Sequence, residues 1–174
     1  MAESGIGSQS SPPTVVGMSK SIDRVRDEAA RAGLEIEVVS FPEGTKTARQ
    51  AAEAVGSDIG EIVKSLVFAV DGEPVVALVP GDRRLDTAKL GQLAGSEQKA
   101  ERVSLDDVRD ATGFVAGGTP PFAYKKDLRV YADEGLRRFD RVWAAAGTPH
   151  TVFQLTVEDL DRIAEPVWGD ISES

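Results

Sequence analysis

Apolar and polar positions alternate along the chain in short runs, which predicts a fold built from short strands and short helices. Period-two runs bounded by turn residues predict strands at 35–40, 62–70, 75–80, 99–103, 128–132, 141–146 and 151–155. Capping residues, helical spacing and glycine stops predict helices from 19 or 21 to 33, 47 to 55, 86 to 93, 104 to 112 and after Thr156. Asp71-Gly72 between two apolar runs predicts a hairpin. Because strands and helices do not alternate strictly, we expect an α/β or α+β domain around a mixed sheet.

The length of 174 residues suits one domain with its own hydrophobic core. Residues 1–17 are rich in Ser, Gly and Pro and predict a flexible N-terminal tail. The folded domain is expected at 18–168, with Trp168 anchoring its end, and a C-terminal tail at 169–174. No apolar run approaches the roughly 18 residues of a membrane span, and no secretory signal is recognisable, so we expect a cytoplasmic protein without a membrane partner.

Composition excludes several kinds of chemistry. The chain has no cysteine and one histidine, His150, so disulfides, thiol nucleophiles, thiolate metal sites and multi-histidine zinc sites are excluded. An enzyme with this composition would work with water, backbone groups and at most one lysine, and we expect neither metal nor cofactor. The formal net charge of −9 argues against nonspecific nucleic-acid binding, although basic residues cluster locally at 83–89, 99–102 and 125–129.

Lys64 is the first candidate for chemistry, because it interrupts the apolar run 62–70. Period-two alternation places it on one face of a strand with Ile62, Leu66 and Phe68, and Ser65 on the other. Both faces are largely apolar, which predicts a central strand and an ammonium near a core or a cleft. The alternative is that Lys64 lies at the end of the strand and extends its ammonium into water.

The second candidate is the segment 112–122, in which Gly117-Gly118 is followed by Pro120-Pro121. Glycines allow a sharp turn and close approach to a ligand, and prolines fix their own φ and restrict the residue before them. The pattern predicts a stiff wall of main-chain N–H and C=O groups, or simply an irregular connection. Ser65, Thr119 and Thr151 offer hydroxyls to a ligand. His150 follows a turn, where a lone histidine is more often a turn or surface residue than a ligand-binding one.

These pieces occur in an order that resembles the YbaK/prolyl-tRNA synthetase-associated editing domain family. The order is Lys64 in a strand, then Thr-Gly-Phe-Val-x-Gly-Gly-x-x-Pro at 112–121, then Ala-Gly-Thr-Pro-His at 146–150. The resemblance covers about 36–164. It implies a mixed, mostly antiparallel sheet flanked by helices. It also implies a free-standing deacylase that hydrolyses mischarged aminoacyl-tRNA, such as tRNA(Pro) carrying Cys, Ala or another small non-cognate amino acid.

The resemblance also implies roles for individual residues. Lys64 matches the lysine that engages the acceptor end of the tRNA, and Gly117 and Pro121 match the ends of a GxxxP loop that holds the aminoacyl group and a water. By extension, Gly118 joins Lys64 and Gly117 as catalytic. Substrate binding is expected from residues of the loop, the strand and the late turn, namely Thr119, Pro120, Pro121, Phe122, Ser65 and His150.

The resemblance implies a mechanism that needs few catalytic groups, because an aminoacyl ester is already activated. Lys64 would hold a phosphate or ribose, N–H groups around Gly118 and Thr119 would stabilise the oxyanion, and no side-chain base is needed. Expected partners are the acceptor end of aminoacyl-tRNA and prolyl-tRNA synthetase, with the chain a monomer or weak homodimer. A non-catalytic adaptor for tRNA or a synthetase, and a hydrolase of small amino-acid esters, remain alternatives. The amino acid removed stays open. Thr119-Pro120-Pro121 stands where the cysteine-specific members of the family have Ser before a single Pro, and Ala123 stands where many relatives have glycine.

Overall fold

A computed structural model describes residues 15–41 and 47–174. The helices are α1 Val15–Arg31, α2 Ala48–Val55, α3 Thr87–Leu93, α4 Leu105–Thr112 and α5 Val157–Ala164. The strands are β1 Val38–Ser40, β2 Val63–Val70, β3 Glu73–Pro80, β4 Glu101–Arg102, β5 Arg129–Asp133, β6 Arg141–Ala145, β7 Thr151–Thr156 and β8 Val167–Gly169. Short 3-10 helices cover Ile59–Glu61 and Glu134–Arg138.

The strands form two sheets. The larger has the order β4-β2-β3-β5-β8, with β2 antiparallel to β3 and β4, and β5 parallel to β3 and β8. The smaller is antiparallel with the order β1-β7-β6. A bridge between Ile62 and Trp143 connects the two sheets. The prediction of a mixed, mostly antiparallel sheet flanked by helices is therefore confirmed.

Local signals set most element boundaries. Thr47, Ser104 and Thr156 accept hydrogen bonds from the first turns of α2, α4 and α5, as the capping patterns predict. The hairpin between β2 and β3 turns at Asp71 and Gly72, both with positive φ (51° and 81°). The start of α1 differs from the prediction, because Ser19 and Ser21 lie inside the helix rather than capping it.

The two chain ends depart in part from the predicted tails. Of residues 1–17, those before 15 lie outside the described residues, and the remainder belongs to α1. In the segment 169–174, Ile171 is fully buried and its N–H donates to Asp133 Oδ1 at 3.0 Å. Trp168 lies in β8, which the sequence did not predict, and its Nε1 donates to Asp161 at 2.7 Å. The domain bounds themselves stay a prediction.

The larger sheet is covered on both faces. One face packs against the smaller sheet, α1 and the segment 114–122, in a core that includes Val63, Val67, Val76, Leu78, Phe122 and Phe153. The opposite face packs against α3 and the chain end, in a core that includes Val75, Val79, Leu90, Tyr131 and Ile171. Because both faces of β2 are covered, a polar residue on this strand must find a partner or reach an opening.

Candidate functional site

A cavity of about 260 Å³ lies where α2, the start of β2, β6, β7 and the segment 114–121 meet. Five residues that the sequence analysis named as candidate site residues line this cavity, although they belong to segments far apart along the chain. These are Lys64, Ser65, Gly117, Thr119 and Thr151. The remaining wall is largely apolar and includes Phe41, Ala51, Ile62, Trp143 and Val152.

Lys64 lies near the start of β2, opposite Val79, and is half-buried. Its Nζ donates a hydrogen bond to the carbonyl oxygen of Arg83 at 2.5 Å. Burial lowers the pKa of Lys64, and the charge of Arg84 lowers it further, while the carboxylate of Asp82 raises it. The ammonium is therefore neither deep in the core nor free in water. It is tied to a main-chain carbonyl at the edge of the cavity.

Ser65 faces the other side of β2, as the alternation predicts. Its hydroxyl Oγ is buried and has no hydrogen-bond partner among the described residues. Buried polar atoms are almost always paired, because an unmade hydrogen bond costs about 1–3 kcal/mol. Ser65 lines the cavity although its Oγ is shielded from water, which makes this hydroxyl a candidate partner for a polar atom of a bound molecule.

The segment after α4 is held by its own hydrogen bonds. Gly113 ends the helix with a φ of 83°, and Gly118 N–H donates to Val115 O at 3.0 Å to close a turn. Thr119 Oγ1 donates to the same carbonyl at 3.1 Å. The hydroxyl of Tyr124 donates to Pro120 O at 2.7 Å. These bonds give the stiff main-chain wall that the Gly-Gly/Pro-Pro pattern predicts.

Two loops meet at Gly118. A Cβ on this residue would lie 2.7 Å from the carbonyl carbon of Thr148 and 2.9 Å from the nitrogen of Pro149, closer than real Cβ atoms approach. Glycine at 118 is thus required by the close approach of the segment 147–150. Gly117 has a φ of 86° instead, and a Cβ there would meet only Pro149. The contact between these loops forms one side of the cavity.

The turn 147–151 contributes Thr151 to the cavity lining, and Thr148 lies beside it. Thr148 and Thr151 are buried, and their Oγ1 atoms lie 2.7 Å apart. His150 is exposed, and its side chain does not line the cavity, although its N–H donates to Thr148 Oγ1 at 3.3 Å and its carbonyl accepts from Phe41. The substrate-binding role predicted for His150 stays a prediction.

Pro120, Pro121 and Phe122 are buried but do not line this cavity. Phe122 packs edge-to-face on Phe153, with ring centroids 5.9 Å apart, inside the core between the sheets. These three residues fix the course of the loop, and their predicted contact with substrate stays a prediction. Sequence reasoning missed Phe41 and Trp143, which enter the wall only because β1 and β6 both pair with β7.

An open groove of about 640 Å³ continues from the cavity on the other side of Lys64. It shares Lys64 and Leu66 with the cavity and adds Arg84 and Arg102. Arg84 approaches Glu173 at 4.0 Å with most of its side chain exposed, so this ion pair is weak. Three cationic side chains thus line one groove, although Asp86 and Glu173 lie there too.

Two further findings concern the described part of the chain only. Within residues 15–41 and 47–174, no group of three or more His, Cys, Asp or Glu side chains is placed to hold a metal ion. No helix in these ranges has the length and apolar character that crossing a membrane requires.

The lysine, the glycine-rich loop and the small cavity together define a candidate ligand-binding site in an α/β domain. A family model described as "Aminoacyl-tRNA editing domain" matches residues 42–163. The chain belongs to this family, and the resemblance to the YbaK/prolyl-tRNA synthetase-associated editing domain is confirmed.

Individual relatives agree with this assignment. YwhH of Bacillus subtilis, uncharacterised, is 34% identical over 153 residues, which cover 87% of this chain and 96% of YwhH. EbsC of Enterococcus faecalis, named as a candidate Cys-tRNA(Pro)/Cys-tRNA(Cys) deacylase, is 29% identical over 134 residues, covering 76% of this chain and 81% of EbsC. The proline–tRNA ligase of Maridesulfovibrio salexigens is 41% identical over 101 residues, which cover 58% of this chain and only 17% of the ligase.

The fold also matches a solved structure. The crystal structure of a candidate trans-editing enzyme for prolyl tRNA synthetase superposes with a TM-score of 0.84 at 36% identity, covering 95% of this chain and 100% of that one.

Proposed function

We propose that the protein is a free-standing deacylase that hydrolyses the ester of mischarged tRNA, with tRNA(Pro) carrying Cys, Ala or another small non-cognate amino acid as the substrate. The observation that carries the proposal is the cavity, in which Lys64, Gly117 and Thr119 converge in a chain of the aminoacyl-tRNA editing family. EbsC, a relative of similar length, is named for this kind of substrate.

In this mechanism Lys64 is the cation that binds the terminal phosphate or ribose of the tRNA. An ammonium has three N–H donors, and among the described residues Arg83 O accepts from one of them, which leaves two for the substrate. A lysine is a compact point charge, which suits a phosphate oxygen or ribose hydroxyl without fixing one geometry.

The main chain of the loop supplies the rest of the chemistry. Water attacks the ester carbonyl carbon, the negative charge develops on the carbonyl oxygen, and the bond to the ribose oxygen then breaks. The ribose oxygen leaves with a proton as a hydroxyl, and the amino acid is released as its acid. Gly118 N–H is already donated to Val115, which makes Thr119 N–H the better oxyanion donor at this point of the loop. A loop carbonyl or a substrate group orients the water.

The size and lining of the cavity support a small aminoacyl group. Its volume of about 260 Å³ lies below the roughly 300–1,000 Å³ of sites for drug-sized ligands. The apolar wall formed by Ile62, Trp143 and Val152 suits a short apolar side chain, and Ser65 Oγ offers one hydrogen bond to the α-amino group or to a polar side-chain atom.

The groove beside Lys64 supports binding of the acceptor strand. Arg84 and Arg102 offer cations to successive phosphates on the path that leads to the cavity. With a net charge of −9 on the whole chain, we expect recognition to be confined to this end of the tRNA, with prolyl-tRNA synthetase contributing further affinity.

The main alternative is an adaptor that uses the same cavity to bind tRNA or a synthetase without hydrolysis. The second alternative is a hydrolase of small amino-acid esters. The adaptor predicts binding without turnover, and the small-ester hydrolase predicts that free esters react as fast as tRNA-linked ones.

The test is deacylation of tRNA(Pro) charged with Cys, Ala, Ser or Pro by the wild type, Lys64→Ala and Lys126→Ala. Lys126 is a matched control because it is an exposed lysine that pairs with Asp110 and does not line the cavity. We expect rapid loss of one non-cognate amino acid by the wild type and by Lys126→Ala, and a loss of roughly 100-fold or more in Lys64→Ala. Hydrolysis at the uncatalysed rate by the wild type would refute the proposal, and a tRNA-binding titration would then test the adaptor.

A further inference from the structure

We propose that the ion pair between Asp82 and Arg138 positions the ammonium of Lys64 through the carbonyl of Arg83. The inference rests on the proposed function, because it assigns Arg138 and Asp82 as positioning residues for that same site. Neither of them lines the cavity. The hydrogen-bonded path from them to Lys64 runs through the turn that follows β3, and the charge of Asp82 acts on the ammonium in addition.

The turn after β3 presents the carbonyl that Lys64 uses. Arg83 N–H donates to Pro80 O at 3.0 Å, which closes the turn, and Gly81 N–H donates to Ile62 O at 2.7 Å, which ties it to the start of β2. Lys64 Nζ then donates to Arg83 O. A lysine side chain has many rotamers, so the direction of this one carbonyl determines where the ammonium is held.

Asp82, the residue before Arg83, accepts two hydrogen bonds from Arg138. The guanidinium donates from NH1 to Asp82 Oδ2 at 3.0 Å and from NH2 to Oδ1 at 2.9 Å. Paired parallel hydrogen bonds of this kind fix relative orientation as well as distance. Asp82 cannot rotate without breaking both bonds, and the peptide that follows it is therefore restrained.

Arg138 is itself held in place. Its Nε donates to Gly135 O at 2.6 Å, and its guanidinium lies over the ring of Phe139 at 4.9 Å from the centroid. A Cβ on Gly60 would lie 2.9 Å from Phe139 and 3.1 Å from Asp82, so this region is tightly packed. The 3-10 helix that follows β5 thus provides a rigid support.

A second link joins the same two segments. Asp133 is buried and accepts hydrogen bonds from the backbone N–H groups of Gly135 and Ile171, each at 3.0 Å. Arg83 approaches it at 3.4 Å. The longer contact leaves the Asp82–Arg138 pair as the more directional link between the turn and the 3-10 helix.

The test uses the signal of Lys64 and the activity together. The chain has seven lysines, so the ¹³Cε–¹Hε spectrum of lysine-labelled protein is simple, and the Lys64 peak is assigned by its absence in Lys64→Arg. In Arg138→Gln we expect the Lys64 peak to shift and its two Hε resonances to merge. We also expect kcat/KM for deacylation of mischarged tRNA(Pro) to fall roughly 10- to 100-fold.

The matched control is Arg137→Gln. It removes the same charge from the same 3-10 helix, but Arg137 stacks on Trp168 at 4.1 Å and does not touch Asp82. We expect it to leave both the Lys64 peak and kcat/KM unchanged. Asp82→Asn provides a second variant of nearly equal shape, should Arg138→Gln fail to fold, and the same changes are expected from it.

The outcomes separate this inference from the proposed function. An unchanged Lys64 peak in a folded Arg138→Gln or Asp82→Asn overturns the positioning role, whatever the activity. A moved peak with unchanged kcat/KM overturns it as well, because the position of Lys64 would then not matter. If the wild type hydrolyses none of the charged tRNAs, the proposed function fails, and the Lys64 peak alone decides whether the ion pair positions the ammonium.

Discussion

Replacement of Gly118 by alanine tests how the cavity is built. The added Cβ would lie 2.7, 2.8 and 2.9 Å from the carbonyl carbon and Cα of Thr148 and the nitrogen of Pro149. All three are backbone atoms of the facing loop, so no side chain can rotate away. Ordinary contact for such atoms begins at 3.4 Å, and the two loops must therefore separate by roughly 0.7 Å or more.

The expected cost of Gly118→Ala follows from this separation. Overpacking that forces a backbone shift typically costs about 1–3 kcal/mol. The displaced loops carry Gly117, Thr119 and Pro149, which all line the cavity, so the distance from Lys64 to the loop changes as well. Misplacement on the scale of an ångström can lower a rate roughly 100-fold.

The assay is urea unfolding together with deacylation of the preferred charged tRNA. Gly95→Ala is the control, because Gly95 has a φ of 83°, no described residue comes within 4 Å of a Cβ built there, and Gly95 does not line the cavity. We expect the control to lose about 1 kcal/mol of stability to backbone strain alone and to keep full activity. Gly118→Ala with stability within about 0.5 kcal/mol of wild type and unchanged activity would refute the reasoning.

Three further predictions concern single residues. Ala123 has a φ of 73°, so Ala123→Gly should raise the free energy of unfolding by about 0.5–1 kcal/mol in urea, whereas Ala94→Gly, at a φ of −79°, should lower it. Ser65→Ala should raise the free energy of unfolding by up to about 1 kcal/mol, because Oγ is buried and has no partner among the described residues, and should weaken deacylation. Burial lowers the pKa of Lys64 below 10.5, so the buried ammonium destabilises the wild type relative to Lys64→Met at neutral pH. This destabilisation should shrink as the pH rises through the folded-state pKa of Lys64. A difference in unfolding free energy between the two proteins that does not change with pH contradicts this.

Features set by neighbouring residues were predictable from the sequence. The cap at Ser104 depends on Asp107 three residues later, and the hairpin at Asp71 and Gly72 depends on two adjacent residues. The faces of β2 follow from strict alternation, which correctly separates Lys64 from Ser65. The resemblance to the editing family added the link between Lys64 and the Gly117 loop, which no local pattern provides.

Contacts between distant segments were not predictable in the same way. The carbonyl that Lys64 uses belongs to a turn after the next strand, and its position depends on ion pairs with the 3-10 helix at 134–138. The role of Thr148 depends on how close its backbone comes to Gly118. β8 has only three residues and forms because β5 offers a free edge, so its own sequence contains too little alternation to predict it.

The shortness of β4 explains why the site exists at this place in the sheet. β2 pairs with β3 along its whole length. Among the residues that the structure describes, its other edge pairs with β4 only at Phe68 and Ala69, and Ile62, just before β2, bridges to Trp143. A strand edge left without a partner presents main-chain N–H and C=O groups that need water or a ligand. The cavity and the groove meet along this interval, next to Lys64. A longer β4 would pair with the main-chain groups of β2 beside Lys64 and would cover the place where the cavity and the groove meet. Lys64 is therefore accessible because β2 is incompletely paired.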